Sequence, residues 1–246
     1  MTEVQKGEKL TIFGTARPVF SGELTDDKLI VTLHNLSGFE KVKPSLLKSA
    51  LCSSIESSIE DDGSVTLTFT LKESTRLLGW DVQFENNNTI IYLRRAPIFQ
   101  AHSAQPLSGL TVLVDPGHGG TDPGAAGVPH SKGAWEKTLN LAGAYMLRSR
   151  LEALGATVHL TQEDESVTLN ERIELAEKLD ADFFISCHHN AISEKVDANT
   201  VSGIEVYYYN RQSETFARNI GQNLSKATGR KLRLADWSWY RVTMMT

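Results

Sequence analysis

Apolar and polar residues alternate through much of the first hundred positions. In VTLTFTL, Val65, Leu67, Phe69 and Leu71 stand every second residue, the period of a strand with one buried face. WDVQF repeats the pattern with Trp80, Val82 and Phe84, and the turn FENNNT leads into IIYLRR as a hairpin partner. Earlier strands are expected at KLIVTL, residues 28–33, and around LTIFG near residue 10, while KPSLLKSALCSSI fits a short helix or a strand equally. The expected fold of residues 1–97 is a small β-sandwich or barrel.

The rhythm changes after APIFQAHSAQPLS, an aperiodic stretch with two prolines that reads as a linker over residues 98–108. From 109 to 246, short apolar runs alternate with helical stripes. TVLVD (111–115), TVHLT (157–161), DFFISC (182–187) and GIEVYYY (203–209) read as buried strands. A first helix from about Trp135 to Leu154 is expected to bury Leu139, Ala142, Met146, Leu147, Leu151 and Leu154 along one stripe. A second opens at Thr168, where Thr-Leu-Asn-Glu fits a capping box, and is expected to bury Leu169, Ile173, Ala176 and Leu179. A third carries Phe216, Ile220 and Leu224 and stops at Gly229. This alternation predicts an α/β layer fold with a mostly parallel central sheet flanked by helices, preceded by the small all-β domain.

Charge adds only exclusions. Twenty-five basic against 30 acidic side chains give a net charge of −5, too acidic and too evenly spread for a nucleic-acid partner. No apolar run approaches the ~18 residues of a membrane span. No signal-peptide core follows Met1, so an exported protein would have its signal outside these residues. Cys52 and Cys187 fall in different expected domains and are read as free thiols.

Ligands of parallel sheets bind beyond the carboxyl ends of the strands, and two histidines stand there. His118 follows the strand at 111–115, in DPGHGG, and His188 ends the strand at 182–187, in ISCHHN. Glu136 opens the first helix, in AWEK, where a carboxylate is favoured by the helix N-terminus. A histidine in a glycine-rich loop is, alone, more often a polar turn residue, and a lone Glu136 would more often cap a helix. Two histidines at the same end of adjacent strands change that balance. Two imidazoles and a carboxylate converging on a cleft match a catalytic zinc site with water in the fourth position. His189 competes with His188 but points to the other side if the strand persists.

DPGHGG, DPGAAG, WEK, LNERIELAE and ADFFISCHHNA, in that order, resemble the zinc-dependent N-acetylmuramoyl-L-alanine amidases of the amidase 3 type, from about Leu110 to the end. The resemblance implies that His118, Glu136 and His188 bind Zn2+, that Asn190 lies at the substrate rim, and that Arg172 in the second helix is structural. It implies a secreted enzyme that cleaves the amide between N-acetylmuramic acid and L-alanine in peptidoglycan. Gln162 departs from it, since an arginine commonly follows the threonine there, and no catalytic consequence is expected. LLGWDVQF resembles, more weakly, the β modules that hold such amidases to the cell wall.

The family's general base is a second glutamate in a valine-glutamate-x-glycine-phenylalanine motif, which these 246 residues lack. LADWSWYRV resembles the stretch some ten residues upstream of it. The expectation is a chain that stops short of its base and of a final strand and helix, with turnover weak or nil. Glu205, in GIEVYYY, is the internal candidate. The loop between Asn190 and Gly203 is short, which fits an open site. The alternatives are a non-catalytic peptidoglycan-binding protein on the same fold, or a carboxypeptidase-like zinc peptidase. Such peptidases usually place their first two ligands in one short motif, whereas Glu136 follows His118 by 18 residues.

Overall fold

The structure is a computed structural model and describes residues 1–36, 39, 48–127, 134–163, 165–192, 195–197 and 200–245. The chain forms two compact units, Met1–Ile98 and Phe99–Thr246.

The first unit is two antiparallel four-stranded sheets. One holds β1 (Thr2–Val4), β2 (Gly7–Phe13), β7 (Leu77–Glu85) and β8 (Asn88–Arg95), in the order β1-β2-β8-β7. The other holds β3 (Val19–Leu24), β4 (Lys28–His34), β5 (Cys52–Ile59) and β6 (Val65–Leu71), in the order β3-β4-β6-β5. Period-2 alternation puts Leu29, Val31 and Leu33 of β4 and Val65, Leu67 and Phe69 of β6 fully inside. There they join Leu10, Ile12, Ile91 and Leu93 from the other sheet in one core, so the unit is a sandwich. Each such side chain contributes about 1.5–3 kcal/mol by leaving water. The ambiguous stretch at 43–55 ends as strand β5, and its residues 43–47 lie outside those described.

In the second unit every pairing between named strands is parallel. β9 (Thr111–Pro116) lies between β10 (Thr157–Leu160) and β11 (Phe183–Cys187), while β12 (Ile204–Tyr208) pairs with β13 (Leu232–Trp237). The strands expected in one central sheet therefore fall, among the described residues, into two hydrogen-bonded groups. α1 (Glu136–Ala153) packs on β9 and β10, and α3 (Glu214–Thr228) covers β12 and β13. α2 (Leu169–Lys178) packs with α4 (Arg241–Met245). Val112 and Val114 of β9 meet Ala144, Leu147 and Leu151 of α1 in the core of this unit.

α1 and α3 are rotated from the stripes expected, while α2 buries Ile173 and Ala176 as expected. Glu136, Asn140 and Ala144 are the buried residues of α1, whereas Met146 is 70% exposed and Leu139 43%. The phase is set by two polar residues that turn inward toward the loop after β9, which hydrophobic periodicity alone cannot register. In α2 the buried positions are Arg172, Ile173 and Ala176, and Leu169 is exposed. In α3 they are Ala217 and Gly221, small residues that allow close approach to β12 and β13, while Phe216 and Leu224 are exposed. The capping box forms: the Thr168 hydroxyl accepts the Glu171 N–H, and the Glu171 carboxylate accepts the Thr168 N–H. α3 ends at Gly229 in the left-handed conformation, φ 67°. Cys52 and Cys187 are free, and burial pushes both thiols above their usual pKa.

Candidate metal centre

The register of β9 and β11 brings the two histidines together. Cys187 stands opposite Pro116, and the Gly117 N–H donates to the Cys187 carbonyl at 2.9 Å, so the strands leave the sheet side by side. His118 and His188 follow, with ring centroids 4.9 Å apart and planes at 81°. Gly117 makes the approach possible, because a Cβ there would overlap the His188 imidazole.

Glu136 enters from α1. Its Oε2 lies 3.2 Å from His118 Nε2 and its Oε1 lies 3.1 Å from His188 Nδ1. Donors from the three side chains all lie within 4.8 Å of one another. Tetrahedral ligands at ~2.0–2.2 Å from zinc stand roughly 3.4 Å apart, so this donor set fits that ion. Both carboxylate oxygens are also held by main chain: Ala125 N–H donates to Oε2 and His189 N–H to Oε1, each at 2.9 Å. Burial works to raise the Glu136 pKa, but these two N–H groups and the neighbouring imidazoles outweigh it and keep the group anionic below the usual range.

His118 Nδ1 lies 2.9 Å from Asp122 Oδ2. A carboxylate only accepts, so Nδ1 carries the proton toward Asp122, which makes Nε2, beside Glu136 Oε2, the ring nitrogen that would ligate an ion. This contact, with the Gly124 N–H, holds Asp122 below its ordinary pKa. His189 does not join the group: its Nδ1 lies 2.7 Å from Asn140 Oδ1. Asn190 donates its side-chain N–H to Glu205, which also accepts the Tyr207 hydroxyl at 2.7 Å and pairs with Arg233 at 2.8 Å. The bond ties the strand-end loop that carries His188 to β12.

Behind the β9 loop lies a buried polar scaffold in which Arg172, expected to be structural, is joined by Asp115, Thr161 and Gln162, for which the sequence carries no such expectation. Asp115, 1% exposed, pairs with Arg172 and accepts the hydroxyls of Thr161 and Ser186 at 2.6 Å each. Arg172 also donates to the carbonyls of Pro116 at 3.0 Å and His118 at 2.9 Å. Gln162 donates to the same two carbonyls. From α1, Asn140 donates to the Gly117 carbonyl at 3.0 Å and Lys137 to that of Gly120 at 2.7 Å. Only the arginine inside an otherwise apolar helix stripe signals this arrangement in the sequence.

The profile of the amidase 3 family, described as N-acetylmuramoyl-L-alanine amidase, matches residues 112–246. A probable cell wall amidase, LytH, of Staphylococcus epidermidis is 34% identical over 149 residues, covering 60% of this chain and 46% of that protein. An uncharacterized protein, YqiI, of Bacillus subtilis is 33% identical over 145 residues, covering 58% of this chain and 65% of its own. The chain therefore spans about half to two thirds of the length of these relatives. Among solved structures, the N-acetylmuramoyl-L-alanine amidase of Clostridium difficile 630 superposes with a TM-score of 0.51 at 29% identity, over 56% of this chain and 74% of that one.

Proposed function

The chain belongs to the N-acetylmuramoyl-L-alanine amidase family, and from that membership we propose that it hydrolyses the lactyl amide of peptidoglycan at a zinc centre held by His118, Glu136 and His188. The observation that carries this reading is the convergence of the three donors, from two strand ends and a helix start, at spacings that fit zinc. Zinc bound there would supply a Lewis acid for the amide carbonyl and a water acidified toward a pKa of ~7.

The chain's own residues do the rest by holding charge and geometry. Glu136 is kept as a carboxylate by the Ala125 and His189 N–H groups, so it offers a negative donor at neutral pH. Asp122 fixes the His118 ring and its tautomer. Asn190, at the mouth of the β11 loop, is the side chain we assign to the substrate rim, oriented by Glu205. Moving the water proton to the leaving amine needs a further carboxylate, worth ~10²–10⁴-fold in rate. Glu205 is the internal candidate, but three donors already engage it, so we assign it to orienting Asn190 and not to proton transfer.

The reaction sets the protein's work at the cell wall. The sandwich of the first unit is assigned, by its resemblance, to holding the second unit on peptidoglycan. No helix among the described residues is long and apolar enough to cross a membrane.

The test is digestion of purified peptidoglycan, followed by amino-terminal labelling of the released peptides. The reading expects new L-alanine amino termini with uncut glycan strands, formed slowly because no described residue is assigned to the proton transfer, lost with a chelator, restored by zinc and absent with Glu136→Ala. Release of peptides cut within the stem, with the muramoyl amide intact, contradicts it and favours a peptidase.

A further inference from the structure

His118 is not a glycine, yet its φ is +65°, the left-handed conformation that L side chains rarely adopt. That turn aims the imidazole at Glu136 and swings the His118 carbonyl back toward the end of β10. There Gln162 meets it: the side-chain N–H2 donates both to the His118 carbonyl and, at 2.7 Å, to the Pro116 carbonyl. Its neighbour Thr161 donates to Asp115, the partner of Arg172, which forks the same two carbonyls. Gln162 is buried, and its Oε1 has no hydrogen-bond partner among the described residues. Reversing the amide would set that oxygen against two carbonyl oxygens, so the orientation is fixed and the unmatched acceptor is a standing cost. An apolar side chain of similar length would fill the space without that cost and could not supply the N–H2 group. Gly119 leaves room for the amide, since a Cβ there would overlap it.

We infer that Gln162 is a positioning residue for the metal centre, holding the strained turn at His118 so that its imidazole is set for the ion before the ion arrives. The inference rests on the zinc reading of the triad. Gln162 stands where the family commonly has an arginine, and the geometry explains how glutamine serves: two N–H bonds on one side-chain nitrogen do what a guanidinium fork would do.

The test measures zinc affinity by competition with a chelating indicator, and urea stability without metal, for the parent chain, Gln162→Met and Gln162→Arg. Gln162→Met is expected to bind zinc on the order of tenfold more weakly while its metal-free urea midpoint stays level or rises. Gln162→Arg is expected to bind zinc as tightly as the parent. A Gln162→Met chain that binds zinc as tightly as the parent overturns the inference, as does one whose only defect is a lowered midpoint. If Gln162→Met does not fold, Gln162→Arg decides: affinity at or above the parent supports the inference, and a tenfold loss in a folded chain overturns it. A parent chain that binds no zinc overturns the zinc reading and this inference with it, an outcome distinct from equal affinity in parent and variant.

Discussion

Asp122 and His118, four residues apart, are joined at 2.9 Å through Oδ2 and Nδ1, and this contact leaves His118 Nε2, 3.2 Å from Glu136 Oε2, as the nitrogen that would ligate an ion. Outer carboxylates of this kind typically change metal affinity by ~10–100-fold. Asp122→Ala is therefore expected to weaken zinc binding by about that factor, and Asp122→Asn by less, because an amide oxygen still accepts. Indicator competition at neutral pH measures both, and an unchanged affinity in Asp122→Ala would break the link between this contact and the site.

Arg172 and Asp115 form a buried ion pair, 5% and 2% exposed at their side chains. Removing one partner strands the other charge in the interior. Arg172→Met is expected to cost about 3–5 kcal/mol in urea unfolding of the second unit, and Asp115→Asn in the same chain to recover part of it. Equal losses in the single and double variants would show that the charge itself is not what matters.

The capping box at Thr168 satisfies two N–H groups that α2 would otherwise leave open. Thr168→Ala is expected to destabilise the second unit by about 1 kcal/mol. Because α2 carries Arg172, a weaker zinc affinity should accompany the loss, and both are read from one denaturation series with and without metal.

The Tyr207 hydroxyl is pushed up to about 12, first by burial and then by the Glu205 carboxylate it donates to. Its folded value lies above the usual ~10 of a tyrosine. The bond's contribution is therefore whole below pH ~10 and lost as pH rises toward 12. Absorbance titration should find one tyrosine ionising in that late step, missing in Tyr207→Phe, whose stability should also be flatter over the same range. No late step in the parent chain would contradict the assignment.

The grouping of His118, Glu136 and His188 was legible because each follows a local signal: a strand end for His118 and His188, a helix start for Glu136. The sandwich strands were legible where alternation was clean, as in Val65–Leu71. Strand β5 was not, because CSSIESSI buries only Cys52 and Ile55 and offers no steady period. The phase of α1 was misread since Glu136 and Asn140 occupy its inward face, where an apolar stripe is normally sought. The scaffold of Asp115, Thr161, Gln162 and Arg172 was hidden for another reason. Its bonds join residues 44 to 57 positions apart, and nothing local marks a threonine or glutamine as a donor to a distant loop.

The zinc content of the purified chain, measured by elemental mass spectrometry beside His118→Ala, tests the central claim most directly. The account predicts about one zinc per chain in the parent, as expected for three protein ligands with an open fourth position, and its loss in His118→Ala. A parent chain without zinc, or a His118→Ala chain that keeps it, would contradict the assignment of His118, Glu136 and His188 as the metal centre.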